Sequence, residues 1–276
     1  MLRRVVIKVG GDVLLDDAQA QGLVANIKSL HQAGYQIILL HGGGPQVNKL
    51  LTKLQITPKK VSGRRITSQS DLLHVIHAIA GEANVQLTNL LLTENLPALG
   101  IHGASDIIHA TKRPPVKVTG VEELVDFGAV GDVESINTEL LTKLLAIDII
   151  PVIATLARDS AGNIYNINAD TTAVAIARAL KVDLLIMVTA IGGIYRDLND
   201  PTSLIQKIDR TMATKLIEDK VIQDGMIAKI EEALCAVEEG VGRVLITSMA
   251  NNQPNINQQL PLYSDASLGT SIVISC

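Results

Sequence analysis

Three short stretches carry the residue types that phosphate and carboxylate chemistry needs. In "VVIKVGG", Lys8 interrupts an apolar run and is followed at once by Gly10 and Gly11. In "HGGGPQVN" (41–48), three glycines stand between the apolar run "YQIILL" and a helical pattern that carries Val47, Leu50, Leu51 and Leu54. In "YNINADTTA" (165–173), Asn166, Asn168 and Asp170 are spaced two apart, so an extended segment would turn all three to one side.

Each stretch has a functional and a plain reading. Without Cβ atoms, Gly42, Gly43 and Gly44 can present backbone N–H groups to a ligand, and the helix that follows adds partial positive charge, a combination that suits an anion. The plain reading is a tight turn. Lys8 is costly if buried without a partner. It is either a cation held beside a phosphate or a charge that protects an edge strand from pairing. Asn168 or Asp170 can cap the next helix, worth about 1 kcal/mol, but one cap does not use three such residues, which favours a polar site.

Two further cations are candidates. Lys229, in "QDGMIAKIEEALCAVEEG" (223–240), lies off the apolar stripe of Ile227, Ile230, Leu234 and Val237, near a helix start where the dipole mildly disfavours positive charge. It is a site cation or an ordinary solvated lysine. Arg65, in "SGRRIT", is a surface arginine or a planar clamp that grips a carboxylate through two hydrogen bonds. Neither G-x-x-x-x-G-K-[ST], G-x-G-x-x-G nor G-x-S-x-G occurs, so the common phosphate and nucleophile motifs are excluded. The six histidines read as packing or interface residues; His74 and His77 share a helix face without a second pair or a cysteine cluster, so no resident metal is expected.

Positioning these groups requires strands that end where the glycines begin. Runs such as "RRVVIKV", "YQIILL", "LPALGI", "DIIPVIA", "VDLLIMV" and "VGRVLIT" alternate with segments of 3.6-residue periodicity. The pattern predicts an α/β fold, a three-layer αβα sandwich around a mostly parallel central sheet. Gly and Asp turns within 59–68, 116–133 and 158–167 predict β-hairpin insertions at one end of it. A long helical pattern from Ser70 to about Asn95, apolar on more than one face, predicts a helix buried in the fold or in a subunit interface. One domain spans 1–276, with an expected change of lobe between 1–167 and 168–276.

Composition narrows the partners. With a net charge of −4 and 2% aromatic residues among 276, the chain has neither the basic footprint nor the stacking surface of a nucleic-acid binder. Cys235 and Cys276 do not make a disulfide framework, and no apolar signal region precedes the first strand. No apolar run approaches the roughly 20 residues that cross a bilayer. A cytoplasmic protein with no membrane partner is expected.

Taken in order, "VIKVGG", "LHGGGPQVN", "GRRIT", "VGDVESIN", "YNINADTTA", "DGMIAK" and "LGTSI" resemble the amino-acid kinase family from residue 5 to residue 272. Each motif is weak alone, and their ordered conjunction is specific. The start differs from the K-F-G-G-T-S of aspartate kinases, the K-x-G-S of glutamate 5-kinases and the G-G-N-A of carbamate kinases. The resemblance implies transfer of the γ-phosphoryl group of ATP, bound with Mg2+, to the side-chain carboxylate of N-acetyl-L-glutamate, in arginine biosynthesis. It assigns catalytic roles to Lys8, Lys229 and Asp170, the aspartate holding the two lysines in place. Gly10 and Gly11 would bind phosphate, and Gly43, Gly44, Arg65, Asn166 and Asn168 the substrate. Thr189, Gly192, Gly193 and Ile194 would contact the nucleotide.

Three positions depart from the family pattern. "TAIGG" has Ala190 where an aspartate is usual, "HGASDII" (102–108) replaces S-G-K-D-G, and "TKRPPVK" (111–117) is unusual. A sister kinase acting on N-succinylglutamate or an aminoadipate derivative is therefore a second reading, and a non-catalytic amino-acid sensor a third. Retention of Lys8, Asp170 and Lys229 together argues against the sensor. The resemblance also implies a homodimer built on the 70–95 helix. With the first strand starting by about Arg4, the N-terminal helix of the arginine-inhibited hexamers has no place, so insensitivity to arginine is expected.

Overall fold

The computed structural model describes residues 3–118, 120–223, 225–249 and 269–274. Cys276, Asp224 of "DGMIAK" and Leu268 of "LGTSI" lie outside them. In chain order the strands are β1 (Arg4–Val9), β2 (Gln36–His41), β3 (Lys60–Val61), β4 (Arg64–Arg65), β5 (Ala98–His102), β6 (Ile108–Lys112), β7 (Gly131–Ile136), β8 (Ile150–Ala154), β9 (Leu156–Arg158), β10 (Ile164–Asn166), β11 (Leu184–Val188), β12 (Lys207–Ile208), β13 (Val244–Thr247) and β14 (Thr270–Ile272). The helices are α1 (Asp17–Gln32), α2 (Gly44–Lys53), α3 (Gln69–Ile76), α4 (Asn84–Thr93), α5 (Thr138–Ala146), α6 (Ala169–Leu180), α7 (Arg210–Glu218) and α8 (Gly225–Glu238).

The six apolar runs become β1, β2, β5, β8, β11 and β13 of one sheet, ordered β12-β14-β13-β11-β1-β2-β8-β5. Its pairings are parallel except β13 with β14. Both faces are covered, which is why β8, β11 and β13 are buried along their whole length. Side chains alternate between the faces. Val6, Ile38, Leu40, Leu185 and Met187 pack with Ile176 and Ala177 of α6 and Ile230 of α8. Val5, Ile7, Leu39 and Ile186 pack with Leu23 and Ile27 of α1 and Leu87 and Leu91 of α4. This is the three-layer arrangement the pattern predicts. Lys8 follows Val6 by two and so belongs to the α6 face. Because β1 sits between β2 and β11, protection of an edge strand does not explain this lysine.

Two of the three expected hairpins form. Lys60 pairs with Arg65 and Val61 with Arg64 around Ser62 and Gly63, whose φ values of 46° and 76° match the tight turn that right-twisted strands favour. β9 and β10 pair antiparallel around the 159–163 turn. The third expectation, a hairpin over 116–133, is corrected: within it only Val116 and Val125 form an isolated bridge, and β7 pairs with β6 instead. Phe127, 1% exposed, with Val125 and Val130 forms a small core of its own, and bridges from Gly128 to Thr67 and from Val130 to Asn166 tie the segment to its neighbours. β6 and β7 join β9 and β10 in a second sheet, ordered β10-β9-β6-β7.

The expected long helix over 70–95 forms without a break from 69 to 93 but changes type midway. α3 and α4 are joined by a π-helical segment, His77–Ala83. Its inner side is buried at Val75, Ile79, Leu87 and Leu91, while Leu73, Val85 and Leu92 are exposed.

Candidate active site

β1, β2 and β11 run parallel and side by side, and their carboxyl ends carry the three glycine-containing turns. From β1 the chain crosses to β2 on one side and later returns through β11 on the other. A crevice opens at such a point in an α/β sheet, and ligands bind there.

The ionic centre lies on the α6 side of this crevice. Nζ of Lys8 is 2.7 Å from Oδ1 of Asp170, and Nζ of Lys229 is 3.3 Å from Oδ2 of the same residue. The side chains of Lys8, Asp170 and Lys229 are 10%, 24% and 18% exposed, so the three charges are largely withdrawn from water. Burial by itself pushes the Asp170 carboxyl up, but the two ammonium groups outweigh it and hold the pKa below the ordinary carboxylate value. The acid is therefore ionised at neutral pH. Glu232, one turn beyond Lys229 on α8, is pushed up by burial and accepts a hydrogen bond from the Thr171 hydroxyl at 3.1 Å.

Asp170 reaches the lysines because α6 begins just before it. Asn168 is the N-cap, its Oδ1 accepting from the Thr171 N–H at 3.0 Å. The expectation of one extended segment with Asn166, Asn168 and Asp170 on a common side is thereby corrected. β10 ends at Asn166, and the first helical turn directs Asp170 to the lysines while Asn166 and Asn168 line the neighbouring pocket.

The two glycine turns touch. A Cβ on Gly11 would lie 3.0 Å from Gly43 Cα, and one on Gly42 would lie 3.5 Å from Ala169 Cβ at the start of α6. Gly43 is the N-cap of α2 and offers no side chain to its N–H groups, which leaves the helix end available to an anion. Gly44 is open on the side where a Cβ would stand, and Gly10 lies against the Asp12 carboxylate. Gln46, buried in the first turn of α2, donates to the Gly11 carbonyl at 2.7 Å and so ties one turn to the other.

Gly43, Gly44, Arg65, Asn166 and Asn168 line one pocket, together with Asn48. Nη2 of Arg65 donates to Asn48 Oδ1, whereas its buried Nη1 has no hydrogen-bond partner among the described residues. Burial lowers the Arg65 pKa, opposed by the nearby Asp71 charge. A half-buried guanidinium with an unused donor is arranged to receive an acceptor of opposite charge. Asn166 donates to the Thr67 hydroxyl at 3.2 Å. An adjoining cavity adds Arg64 and Arg113, the latter bound to Asp132 at 2.8 and 2.5 Å.

The remaining assigned residues sit one strand over, beyond β11. Thr189 Oγ1 accepts from the Gly192 N–H at 3.1 Å, and Gly192 has the positive φ of 84° that the turn requires. Gly193 packs against Leu204, where a Cβ would come within 2.6 Å of Cδ1. Ile194 sends its side chain into the core and its N–H to Thr270 Oγ1 at 2.8 Å, so it shapes the turn from beneath. Sequence reasoning passed over Gln46, Asn48, Arg113 and Glu232. Gln46 had a legible signal: it stands four residues before Leu50, a polar break on the inward side of an amphipathic helix. Asn48, Arg113 and Glu232 acquire their partners only through tertiary contacts.

The model of the amino acid kinase family matches residues 3–248. An acetylglutamate kinase of Anaeromyxobacter sp. (strain K) is 37% identical over 247 residues, which cover 89% of this chain and 90% of that protein. An acetylglutamate kinase of Methanopyrus kandleri is 38% identical over 245 residues, 88% of this chain and 94% of that one. Among solved structures, smu.665 from Streptococcus mutans UA159 superposes with a TM-score of 0.76 at 31% identity, covering 98% of both chains. The matched residues include all three glycine turns, the Lys8–Asp170–Lys229 centre and the Arg65 pocket, and on these grounds the chain belongs to the amino acid kinase family.

Proposed function

We propose that this protein is a kinase that transfers the γ-phosphoryl group of ATP to the side-chain carboxylate of N-acetyl-L-glutamate, a step of arginine biosynthesis. The observation that carries the reading is the bridging of two lysines, one buried and one partly buried, by one carboxylate beside two touching glycine turns. The similarity to acetylglutamate kinases along most of the chain gives the substrate class.

The chemistry follows from the groups present. A carboxylate oxygen of the substrate attacks Pγ, the new O–P bond forms as the bond to the β–γ bridging oxygen breaks, and ADP leaves with the electron pair. The acceptor is already ionised at neutral pH, so no general base is needed. Catalysis is then positioning and charge stabilisation. Lys8 lies toward the transferring phosphoryl and Lys229 toward the nucleotide side. Asp170, with both oxygens engaged by lysines, holds them in place. Backbone N–H groups of Gly10, Gly11, Gly43 and Gly44 face the phosphoryl and the accepting carboxylate. Arg65, through its unused Nη1, takes a carboxylate of the acylated amino acid, with Asn166 and Asn168 beside it, and the turn carrying Thr189, Gly192, Gly193 and Ile194 meets the nucleotide.

Magnesium fits this site as a passenger on the nucleotide. The donor set consists of ammonium groups, backbone N–H groups and a carboxylate already committed to lysines, which suits an anion more than a bare cation. Among the described residues no group of three His, Cys, Asp or Glu is placed to cage a metal. Bound to ATP, the ion would neutralise phosphate charge.

We place the lobe boundary at Asn168, with 1–167 proposed to bind the acylated amino acid and 168–276 the nucleotide, so that Lys8 and Asp170 stand on either side of it. A homodimer is supported by the exposed apolar residues Leu73, Val85 and Leu92 of α3 and α4, beside the edge strand β5. Sedimentation at twice 29.4 kDa is expected, and a monomer at micromolar concentration would remove this part of the reading. We infer a cytoplasmic location, in keeping with the use of ATP. Among the described residues no helix is long and apolar enough to cross a membrane.

A coupled assay of ADP release tests the substrate. Release stimulated by N-acetyl-L-glutamate well above N-succinylglutamate, N-acetylaspartate and free glutamate is expected. Preference for another acyl group would replace the substrate while leaving the phosphoryl transfer.

A further inference from the structure

His41 is the last residue of β2, immediately before the glycine turn, and is fully buried. Its Nδ1 lies 2.8 Å from the Gly42 carbonyl oxygen, and its Nε2 lies 2.9 Å from Asn84 Nδ2. A carbonyl oxygen only accepts, so Nδ1 carries the proton. The same Asn84 Nδ2 also faces the carbonyl oxygens of Val152 at 2.8 Å and Ile101 at 3.2 Å, so its two protons are shared among three acceptors; an amide nitrogen does not accept, so Nε2 carries no proton. The ring is thus a neutral imidazole held in one tautomer, and burial lowers its pKa to about 4, against a smaller opposing effect of the Gly42 carbonyl.

We propose that His41, locked by Asn84, is a positioning residue that aims the Gly43 N–H at the reacting groups by holding the opposite end of the same peptide plane. The proposal rests on the kinase reading given above. No cis peptide occurs among the described residues, and in a trans plane C=O and N–H point in opposite directions. Drawing the Gly42 oxygen toward His41 therefore turns the Gly43 N–H away from it, and Gly43 lines the same pocket as Asn168 and Ala169. Among the described residues no other side chain bonds to the Gly42 carbonyl. Nothing here requires His41 to touch substrate or exchange a proton.

The test separates the two ring nitrogens. In His41→Asn the amide nitrogen takes the place of Nδ1 and keeps the donor toward Gly42; in His41→Gln it takes the place of Nε2 and loses that donor. His41→Gln is expected to lower kcat about 10²-fold, the scale of a misplacement near 1 Å, with KM for ATP little changed. His41→Asn is expected to recover at least tenfold of that loss, a separation that a space-filling role would not produce. Equal kcat in the two variants would overturn the proposal. NMR supplies a readout independent of activity and of variant folding. In the wild-type protein the His41 ring, assigned through bonds from its own backbone resonances, is expected as the neutral Nδ1–H tautomer at neutral pH, and the Nε2–H tautomer or an imidazolium would overturn the proposal. The Gly43 amide resonance should move in His41→Gln and stay near its wild-type position in His41→Asn. Wild-type protein that forms no acyl phosphate yet shows these NMR results would reject the kinase reading and leave the peptide alignment standing.

Discussion

Nζ of Lys8 lies 2.7 Å from Oδ1 of Asp170, and the other oxygen of that carboxylate faces Lys229 at 3.3 Å. One acid thus keeps two ammonium groups near each other in a partly desolvated place where they would otherwise repel. β1 supplies the first lysine by alternation, α6 supplies the acid in its first turn, and α8 supplies the second lysine. Three separate elements meet at one carboxylate, and the crevice takes its charge from them.

Lys8→Ala and Lys229→Ala should each lower kcat by about 10²–10³, the usual loss for one preorganised contact to developing charge. KM for either substrate should change far less. Steady-state kinetics on folded variants decides this, and near-normal turnover in either would remove that lysine from the transition state.

Asp170→Asn should be slow as well, and its stability should respond differently to acid. The folded-state pKa of Asp170 is depressed, so its contribution to stability is present above the unfolded value of about 3.9 and is lost as pH falls through the lower folded value. Wild type should exceed the variant in Tm at neutral pH, and the gap should close on acidification below about pH 4. A gap independent of pH would mean that the bridge does not stabilise the fold.

Arg65→Ala should raise KM for the acylated amino acid about 10–100-fold, the worth of a charged hydrogen bond, and leave kcat within a few-fold. Arg65→Lys should not restore binding, because an ammonium cannot reproduce the fork that reaches Asn48 and the substrate together. An unchanged KM would place the clamp elsewhere.

Gly11→Ala should disturb both glycine turns at once. Its methyl group would meet Gln46 Oε1 at 2.3 Å, which can swing aside, and Gly43 Cα at 3.0 Å, which is backbone and cannot. A cost of about 1–3 kcal/mol is expected from the forced shift, with a marked loss of kcat. Gly44→Ala meets nothing within 4 Å and should retain the wild-type Tm. Equal Tm in the two variants would show that the turns do not pack as described.

The central layers were legible because their signals are local. Six apolar runs can be read as strands, and Lys8 stands out because a cation breaks such a run. The glycine turns are legible because only glycine allows the close approach seen between Gly11 and Gly43. The Asn168 cap is local and was legible, but the turn it imposes between Asn166 and Asp170 is what a reading of alternation misses. The rest depends on tertiary contact. The π segment between α3 and α4 brings Ile79 against Gly43, where a Cβ would lie 2.7 Å away, a fit that helical periodicity alone does not encode. The 116–133 segment carries hairpin-like turns but is held by burial of Phe127 and by bridges to Thr67 and Asn166. The orientation of His41 is set by Asn84, 43 residues further along the chain.

Trapping the product tests the central claim most directly. Wild-type protein and Lys8→Ala, incubated side by side with Mg-ATP, N-acetyl-L-glutamate and hydroxylamine, should differ sharply. The wild type should form the γ-hydroxamate of N-acetylglutamate in step with ADP, because hydroxylamine intercepts an acyl phosphate, and Lys8→Ala should form it about 10²–10³ times more slowly. ADP release by the wild type without hydroxamate, or no reaction at all, would contradict phosphoryl transfer to the carboxylate.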